Sequence, residues 1–380
     1  MNIAIIRFER FPYGSAPAFR ALQMMKLLCT CGHSVTVIAK DINSDAQFYE
    51  QIERDYPVRC ISVDNEFGSS YRKAISSVLC YDSIDAVLCP TSIHHFCEVH
   101  TTLKAFGVPI VFDSVEWYDS SNWRLQYADP RYYFFQYLWR HCFGRADGII
   151  AISRLIQEHF IHMEPNVVRI PTITDCENTE SRVELQSKTV RFVFAGQLDN
   201  GKDNIDTFIE ALHRVDPKGE QTQMDIYGQN ILQVKKHLDG NAGLLDIHPN
   251  IIIHGKVSQK EAQEACLNSD FSVFFRLNRR SANAGFPTKL GECMTFGTPA
   301  ICNDTGDISL VVKNRINGYL LKTKSVDEIA DALRHILSLS VEEREAMRRE
   351  ARKSAEEFFD YRNYREEMQR VLENAVKGRK

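Results

Sequence analysis

Short apolar runs rich in β-branched residues alternate with stretches of helical spacing along most of the chain. In the first half these runs occupy residues 2–7, 34–39, 86–89, 109–112 and 148–152. In the second half they occupy residues 190–194, 224–227, 251–253, 271–275, 299–301 and 318–321. Short apolar strands that alternate with helices are typical of a parallel sheet covered on both faces. The alternation therefore predicts an α/β fold.

The alternation stops once, at TITDCENTESRVELQSK, which is polar and lacks a sustained apolar period. This segment, residues 172–188, predicts an interdomain linker. A chain of 380 residues is also too long for one compact core. We therefore expect two Rossmann-like, doubly wound domains, at 1–171 and 189–357. The charged tail at 358–380 has helical spacing and is expected to form a helix that returns to the N-terminal domain.

The composition excludes several classes of protein. A formal charge of −4 argues against a nucleic-acid-binding protein, which normally carries a concentrated basic excess. The 11 cysteines include no CxxC pair and no metal-ligand spacing, a usage that fits a reducing compartment. No apolar run has the length of a membrane span. The expected location is the cytoplasm, with peripheral contact at the inner membrane face left open.

Two doubly wound domains that face each other place the carboxyl ends of both sheets around a central cleft, the usual ligand site of such sheets. Three loops of the second domain follow predicted strands there, at residues 195–204, 254–258 and 276–292. The last loop carries four cations just ahead of or inside a helix start: Arg276, Arg279, Arg280 and Lys289. Cations beside a helix N-terminus favour an anion such as a diphosphate.

The helix start lies within AGFPTKLGECMTFGTPAI, residues 284–301. Pro287 fixes its own φ, and Thr288 is expected to cap the helix by accepting a backbone N–H. Gly297 and Pro299 end it. The free N–H groups at such a joint between a loop and a helix suit a phosphate.

Five segments resemble the retaining, nucleotide-sugar-dependent glycosyltransferases of family 4, and the likeness covers nearly the whole chain. In chain order they are FPYGSAPAFRALQMMKLLCTCGHSVTVIA, RADGIIAISRLI, FVFAGQLDNGKDNIDTFIEAL, GFPTKLGECMTFGTPAI, which is the most specific match, and NRINGYLL. The resemblance implies the GT-B fold, with an acceptor-binding N-terminal domain and a C-terminal domain that binds the nucleotide sugar. It implies transfer of a hexose-type unit with retained anomeric configuration, and no metal or other cofactor.

The resemblance also assigns residues. Glu292 matches the glutamate that holds the nucleotide ribose, and a carboxylate can accept two vicinal hydroxyls. The family's other glutamate falls on Ala284, so Asn283 or Arg280 is expected to take its contact with the donor sugar. The family's diphosphate clamp falls on Gln197 and Lys202. Because Gln197 carries no charge, Arg276 or Arg280 is expected to restore it.

The predicted site therefore contains three groups of residues. The expected catalytic residues are Lys202, Arg276 and Arg280. The expected donor-binding residues are Gly14, Gln197, Lys256, Val257, Asn283, Gly285, Phe286, Pro287, Thr288, Lys289 and Glu292. The expected acceptor-side residues are Ser15 and Glu116, and the expected acceptor is a saccharide or a lipid-linked saccharide.

Three other functions are alternatives to this one. The departures at Ala284 and Gln197 also fit a non-catalytic, nucleotide-sugar-binding partner of an active glycosyltransferase. A dinucleotide-dependent oxidoreductase would need a GxGxxG motif after the first strand, which the sequence lacks. A sugar-nucleotide epimerase would need an acid/base pair, and none is evident.

Residues 117–143 hold all three tryptophans and many other aromatic residues, interleaved with arginines. Aromatic residues dominate core energetics, which favours a packed helix over residues 132–142. Acceptor binding or contact with an anionic membrane surface is the functional alternative.

Overall fold

The structure is a computed structural model that describes residues 1–12, 15–40, 46–63, 69–91, 96–118, 128–164, 166–181, 188–196, 198, 203–238 and 242–378. The chain divides into two units, one formed by Met1–Ile173 and Tyr361–Lys380, the other by Thr174–Asp360. Thus the predicted linker contributes residues to the second unit, where Thr174 forms a parallel bridge with Asp360. Thr174 and Asp360 are the first and last residues of the second unit, so this unit begins and ends at paired positions.

Parallel strands and helices alternate throughout both units. The strands are β1 (Asn2–Arg10), β2 (Ser34–Lys40), β3 (Val58–Val63), β4 (Ala86–Pro90), β5 (Ile110–Ser114), β6 (Gly148–Ala151), β7 (Val167–Arg169), β8 (Val190–Ala195), β9 (Asp203–Asn204), β10 (Thr222–Tyr227), β11 (Ile251–Gly255), β12 (Phe271–Val273), β13 (Phe275–Arg276), β14 (Ala300–Asn303) and β15 (Gly318–Leu321). The helices are α1 (Ala16–Thr30), α2 (Ala46–Asp55), α3 (Ser69–Tyr81), α4 (Phe96–Phe106), α5 (Pro130–His141), α6 (Arg154–Phe160), α7 (Asp206–Val215), α8 (Ile231–His237), α9 (Leu244–Ile247), α10 (Gln259–Leu267), α11 (Arg280–Ala284), α12 (Thr288–Thr295), α13 (Val326–Ser338), α14 (Val341–Phe358) and α15 (Arg365–Lys377).

The first unit is built on a parallel sheet in the order β3-β2-β1-β4-β5-β6-β7. The order reverses between β1 and β4, and ligands of open α/β sheets bind at such a reversal. The C-terminal α15 packs on this unit, where the Asn166 side-chain amide donates a 2.8 Å hydrogen bond to the Val371 carbonyl.

The second unit has a parallel sheet in the order β11-β10-β8-β12-β14-β15. The order reverses between β8 and β12, so the loops that follow these two strands border the expected ligand position. A short antiparallel pair, β9 with β13, adds to this end of the unit. The predicted α/β class, with two doubly wound domains, is confirmed.

Some strands differ from the sequence prediction. The run at 271–275 is not one strand: it breaks at Phe274, after which β13 turns to pair with β9. The Asn303 side chain stabilises this change of direction, because it accepts from the Arg276 N–H at 2.7 Å and donates to the Arg276 carbonyl at 2.9 Å. The apolar pattern does not reveal β3, which polar residues interrupt, or β7, which has only three residues.

Candidate active site

Glycines join the carboxyl ends of three neighbouring strands, β8, β10 and β11. The Gly196 N–H donates to the Tyr227 carbonyl at 3.1 Å, and the Gly228 N–H donates to the Gly255 carbonyl at 2.7 Å. Gly228 has a φ of +107°, and a Cβ there would collide with the carbonyl oxygen of Gly196. Only glycine fits this position. The edge of the sheet is therefore bare backbone that a ligand can approach closely.

Lys289 places a positive charge at this bare edge. It is the second residue of α12, and its Nζ lies 4.3 Å from the centroid of the Phe194 ring at the end of β8. A Cβ added to Gly196 would lie only 3.0 Å from the same Nζ. The ammonium is thus held by a cation–π contact next to the first N–H groups of α12, which lack intrahelical partners. Both features favour a bound anion.

Glu292 lies one turn further along α12, on the same face as Lys289. Burial raises the pKa of the Glu292 carboxyl to about 7, and the nearby charge of Lys289 opposes that rise. In the described part of the chain, no hydrogen bond or ion pair of the Glu292 side chain is seen. A half-buried carboxylate without a hydrogen bond or ion pair lowers the stability of the fold. Such a cost is typical of a binding group rather than of a structural one.

Arg276 holds the basic loop from inside the fold. Its side chain is buried, and its Nη1 donates to the Ala282 carbonyl at 2.8 Å and to the Gly285 carbonyl at 3.4 Å. The guanidinium thereby fixes the turn between α11 and α12. Arg280 is the first residue of α11 and is half-buried. The structure thus gives Arg276 a positioning role in this turn. The diphosphate contacts expected of Arg276 and Arg280 remain predictions.

Asn283 ties the same loop to the turn that follows β14. Its Nδ2 donates to the Asn278 side chain at 2.7 Å, and its Oδ1 accepts from the Gly306 N–H at 2.9 Å. Gly306 has a φ of +58°, and a Cβ there would approach the Asn283 carbonyl within 2.7 Å. The predicted contact of Asn283 with a donor sugar would have to be made beside these two bonds. Ala284, the next residue, is fully buried.

The turn before α12 corrects one sequence expectation. Thr288 does not cap the helix: it is the first helical residue, and Pro287 occupies the cap position without a side-chain hydrogen bond. Phe286 is buried, and its ring packs against the rings of Phe358 and Phe359 with centroids 6.0 and 5.7 Å apart. The Phe286 side chain therefore anchors the turn, and what the turn can offer a ligand is its backbone.

The loop after β11 borders a groove of about 600 Å³. Val257 lines this groove together with Tyr227 and His254, whose rings stack in parallel with centroids 4.1 Å apart. His254 Nε2 is 2.7 Å from Asp225 Oδ1. The neighbouring Lys256 is exposed. The structure thus brings Val257 to the same edge as Gly228 and Gly255.

Three predicted donor-side residues, Gly14, Gln197 and Lys202, lie outside the described residues. On the acceptor side, Ser15 caps α1, because its hydroxyl accepts from the Ala18 N–H at 3.3 Å. Glu116 is half-buried just after β5. Both belong to the first unit. Their predicted contacts with an acceptor remain predictions.

The described residues contain no group of three or more His, Cys, Asp or Glu side chains placed to hold a metal ion. Among the same residues, no helix combines the length and apolar character needed to cross a membrane.

Two family models match consecutive parts of the chain. The model for "Glycosyltransferase Family 4" matches residues 19–178, and the model for "Glycosyl transferases group 1" matches residues 177–354. The chain is a family 4 glycosyltransferase. The resemblance inferred from the sequence motifs is therefore confirmed.

The fold of this glycosyltransferase is GT-B, as solved structures show over the full chain. Sucrose-phosphate synthase from Thermosynechococcus elongatus superposes with a TM-score of 0.73 at 14% identity, covering 99% of both chains. Anabaena HepE, solved in complex with UDP and glucose, superposes with a TM-score of 0.70 at 15% identity, covering 98% of this chain and 99% of its own.

One curated relative matches locally. The GDP-Man:Man(3)GlcNAc(2)-PP-Dol alpha-1,2-mannosyltransferase of Mus musculus is 38% identical over 82 residues, which are 20% of this glycosyltransferase. The match spans 16% of the mannosyltransferase's own length.

Proposed function

We propose that this glycosyltransferase moves a sugar from a nucleoside diphosphate sugar to a saccharide or lipid-linked saccharide acceptor, with retained anomeric configuration. The observation that carries the proposal is the ammonium of Lys289 beside Gly196 at the start of α12. A diphosphate fits a cation, free helix N–H groups and a bare glycine edge. Relatives that share the fold have been solved with UDP and with UDP-glucose, which supports a donor of this class.

In the proposed reaction the acceptor hydroxyl attacks the anomeric carbon from the face that the diphosphate leaves. The bond from that carbon to the acceptor oxygen forms, the bond to the β-phosphate oxygen breaks, and the hydroxyl proton passes to the departing diphosphate. The protein contributes position and charge stabilisation. Lys289, Arg280 and Lys202 supply the charge, Arg276 holds the turn, and Glu292 accepts the ribose hydroxyls. The reaction takes place in the cytoplasm and needs no metal.

The proposal is tested by incubating the purified protein with a panel of nucleoside diphosphate sugars that differ in base and sugar. Transfer to an added saccharide, or slow donor hydrolysis, supports an enzyme. Tight nucleotide binding without either reaction would support the second candidate, a non-catalytic nucleotide-sugar-binding partner, which Ala284 in the place of a glutamate favours. Mass identification of a co-purified nucleotide would name the base.

The pKa of Glu292 leads to a prediction for Glu292→Gln. The pKa of the Glu292 carboxyl is raised from 4.5 to about 7 in the fold. Its contribution to stability is therefore fully present below pH 4.5 and is lost as the pH rises through 7. The unliganded variant should therefore equal the wild type near pH 4.5 and exceed it by about 1–3 kcal/mol at pH 8. Urea unfolding across this pH range measures the difference.

Nucleotide binding should change in the opposite direction. Because the ionised carboxylate is the better acceptor for two hydroxyls, Glu292→Gln should weaken nucleotide affinity by roughly tenfold at pH 8. The wild type should lose affinity as the pH falls through 7, whereas the variant shows only the shallow change caused by the diphosphate's own ionisation. Calorimetric titrations of both proteins test this. A variant that unfolds while its folded fraction keeps full affinity would make Glu292 a structural residue.

A further inference from the structure

One face of α5 is an exposed aromatic surface. Tyr133, Phe134 and Tyr137 are 54%, 42% and 57% exposed. They follow each other at helical spacing, so they share a face. The opposite face is the one that packs: Phe135, Leu138 and Trp139 are almost wholly buried. The sequence expectation of a packed helix therefore accounts for half of the aromatic residues of α5 and leaves the other half uncovered.

These exposed rings are ordered by contacts on the helix surface. Tyr133 meets Tyr132 edge to face with centroids 5.4 Å apart, and Tyr137 lies 5.2 Å from the His141 ring. Met163, which packs against Gly144 just after the helix, is a further exposed apolar side chain, at 38%. Single exposed apolar residues need no explanation, but a contiguous group of this kind marks an interaction surface.

Basic residues border the aromatic face. Arg140 and Arg145 are exposed at the C-terminal end of α5 and just after it. No ion pair of either guanidinium is seen among the described residues. Arg131, at the other end, pairs with Asp129, which is buried and caps the helix. The exposed charge beside the rings is therefore positive, which complements an anionic surface.

We propose that α5 is a membrane-docking surface that binds an anionic lipid bilayer. Tyrosine and phenylalanine rings enter the boundary between headgroups and acyl chains, while Arg140 and Arg145 reach the lipid phosphates. A second copy of this chain fits less well. Three half-exposed rings offer roughly 300 Å², whereas a stable protein interface needs about 800 Å² from each partner. The inference deepens the proposed function, because a lipid-linked acceptor is found at such a surface.

Vesicle flotation of the full chain tests the proposal without any sugar nucleotide. The wild type should bind vesicles of equal parts phosphatidylcholine and phosphatidylglycerol, and bind phosphatidylcholine alone much more weakly. The triple variant Tyr133→Ser, Phe134→Ser, Tyr137→Ser should lose at least roughly 30-fold in partition coefficient. Arg140→Ala with Arg145→Ala should remove most of the preference for the anionic lipid and most of the sensitivity to salt.

A matched control removes exposed apolar residues elsewhere. Ile231, Leu232 and Ile316 of the second unit are 49%, 76% and 57% exposed, and their replacement by serine should leave vesicle binding within about twofold. Circular dichroism verifies that both triple variants fold. Equal vesicle binding by the aromatic variant and the wild type would overturn the proposal. The proposal would also be overturned if the wild type did not bind vesicles but formed a dimer, or bound a soluble glycan, and only the aromatic variant lost that interaction.

The flotation result is independent of catalysis. If donor assays fail but the wild type floats and the aromatic variant does not, the docking surface stands and the proposed transfer reaction falls. If transfer is observed but flotation is absent, the reaction stands and the docking surface is wrong.

Discussion

Replacing Lys289 by methionine should lower kcat/KM for glycosyl transfer by roughly 100- to 1000-fold, the usual effect of removing one preorganised charge contact to a departing group. Methionine keeps the length and apolar stem of lysine, so the packing against Phe194 is largely retained. The loss should appear mainly in kcat, because the charge on the diphosphate grows as the bond to the sugar breaks. Steady-state kinetics with a saturating acceptor measure it.

Lys260→Met is the matched control for this experiment. The Lys260 side chain is 85% exposed on α10 of the same unit, where it faces Glu264 at 4.0 Å. Its loss should change kcat/KM by less than about twofold, since an exposed pair of this kind contributes little. If Lys289→Met keeps transfer within fivefold of the wild type but lowers the melting temperature, the ammonium only stabilises the ring beneath it. The diphosphate would then bind elsewhere.

The pH dependence gives the Lys289 experiment a second readout. Lys289 lowers the pKa of Glu292 against the effect of burial. Without the ammonium, the pKa of Glu292 should rise further above its ordinary value. Nucleotide affinity of Lys289→Met should therefore fall off at a higher pH than that of the wild type. This shift tests the charge coupling between Lys289 and Glu292, and the loss in kcat tests the contact with the diphosphate.

The fold was predictable because the strands in the middle of both sheets are short and uniformly apolar. β4 (Ala86–Pro90), the central strand of the first sheet, exceeds the predicted run at 86–89 by a single residue. Strands at the borders carry less signal. β7 has three residues, and β3 exposes Arg59. Strand length and burial on both faces, not β-propensity alone, decide whether such a run can be recognised.

The site was predictable where a loop follows a strand, and less so where a side chain hydrogen-bonds to the backbone of its own loop. Lys289 and Glu292 lie on α12 as their position in the motif implies. Arg276 shows the limit. The carbonyls that its guanidinium reaches, those of Ala282 and Gly285, converge only once the turn has formed. From the sequence alone, an arginine in such a loop is therefore interpreted as a phosphate-binding residue. Asn303 was missed for the same reason, although an asparagine at the end of a buried strand is a usable signal.

The first unit contains a buried ion pair, and its disruption is the second large effect we expect. Arg20 on α1 faces Asp113 at the end of β5, with side-chain exposures of 5% and 4%. The Arg20 Nε lies 3.0 and 2.9 Å from the two carboxylate oxygens, and Nη2 lies 2.8 Å from one of them. Nη1 also donates to the Pro171 carbonyl at 2.6 Å. One guanidinium thus joins α1, β5 and the last residues before the second unit.

Removal of one partner leaves the other charge buried without compensation. Arg20→Met should therefore lower the free energy of unfolding by about 3–5 kcal/mol. Trp117 and Trp139 lie in the first unit, and the sequence has no tryptophan between residues 174 and 360, so intrinsic fluorescence during urea unfolding reports on the first unit within the full chain. Arg59→Met is the control, because Arg59 pairs with Asp82 at 3.1 Å with its own side chain 63% exposed. It should cost no more than about 1 kcal/mol.

The double variant Arg20→Met, Asp113→Leu tests whether the ion pair adds net stability or only compensates the cost of burying its two charges. Replacing both charges with apolar side chains removes the desolvation cost along with the attraction, and such exchanges are often neutral. We expect the double variant to recover about half or more of the stability that Arg20→Met loses. The carbonyls of Ile170 and Pro171 lose their donors in both variants, so recovery should stop short of the wild type. If the single variant costs less than 1 kcal/mol, Arg20 is replaceable, and the end of the first unit is held by the packing of α15 instead.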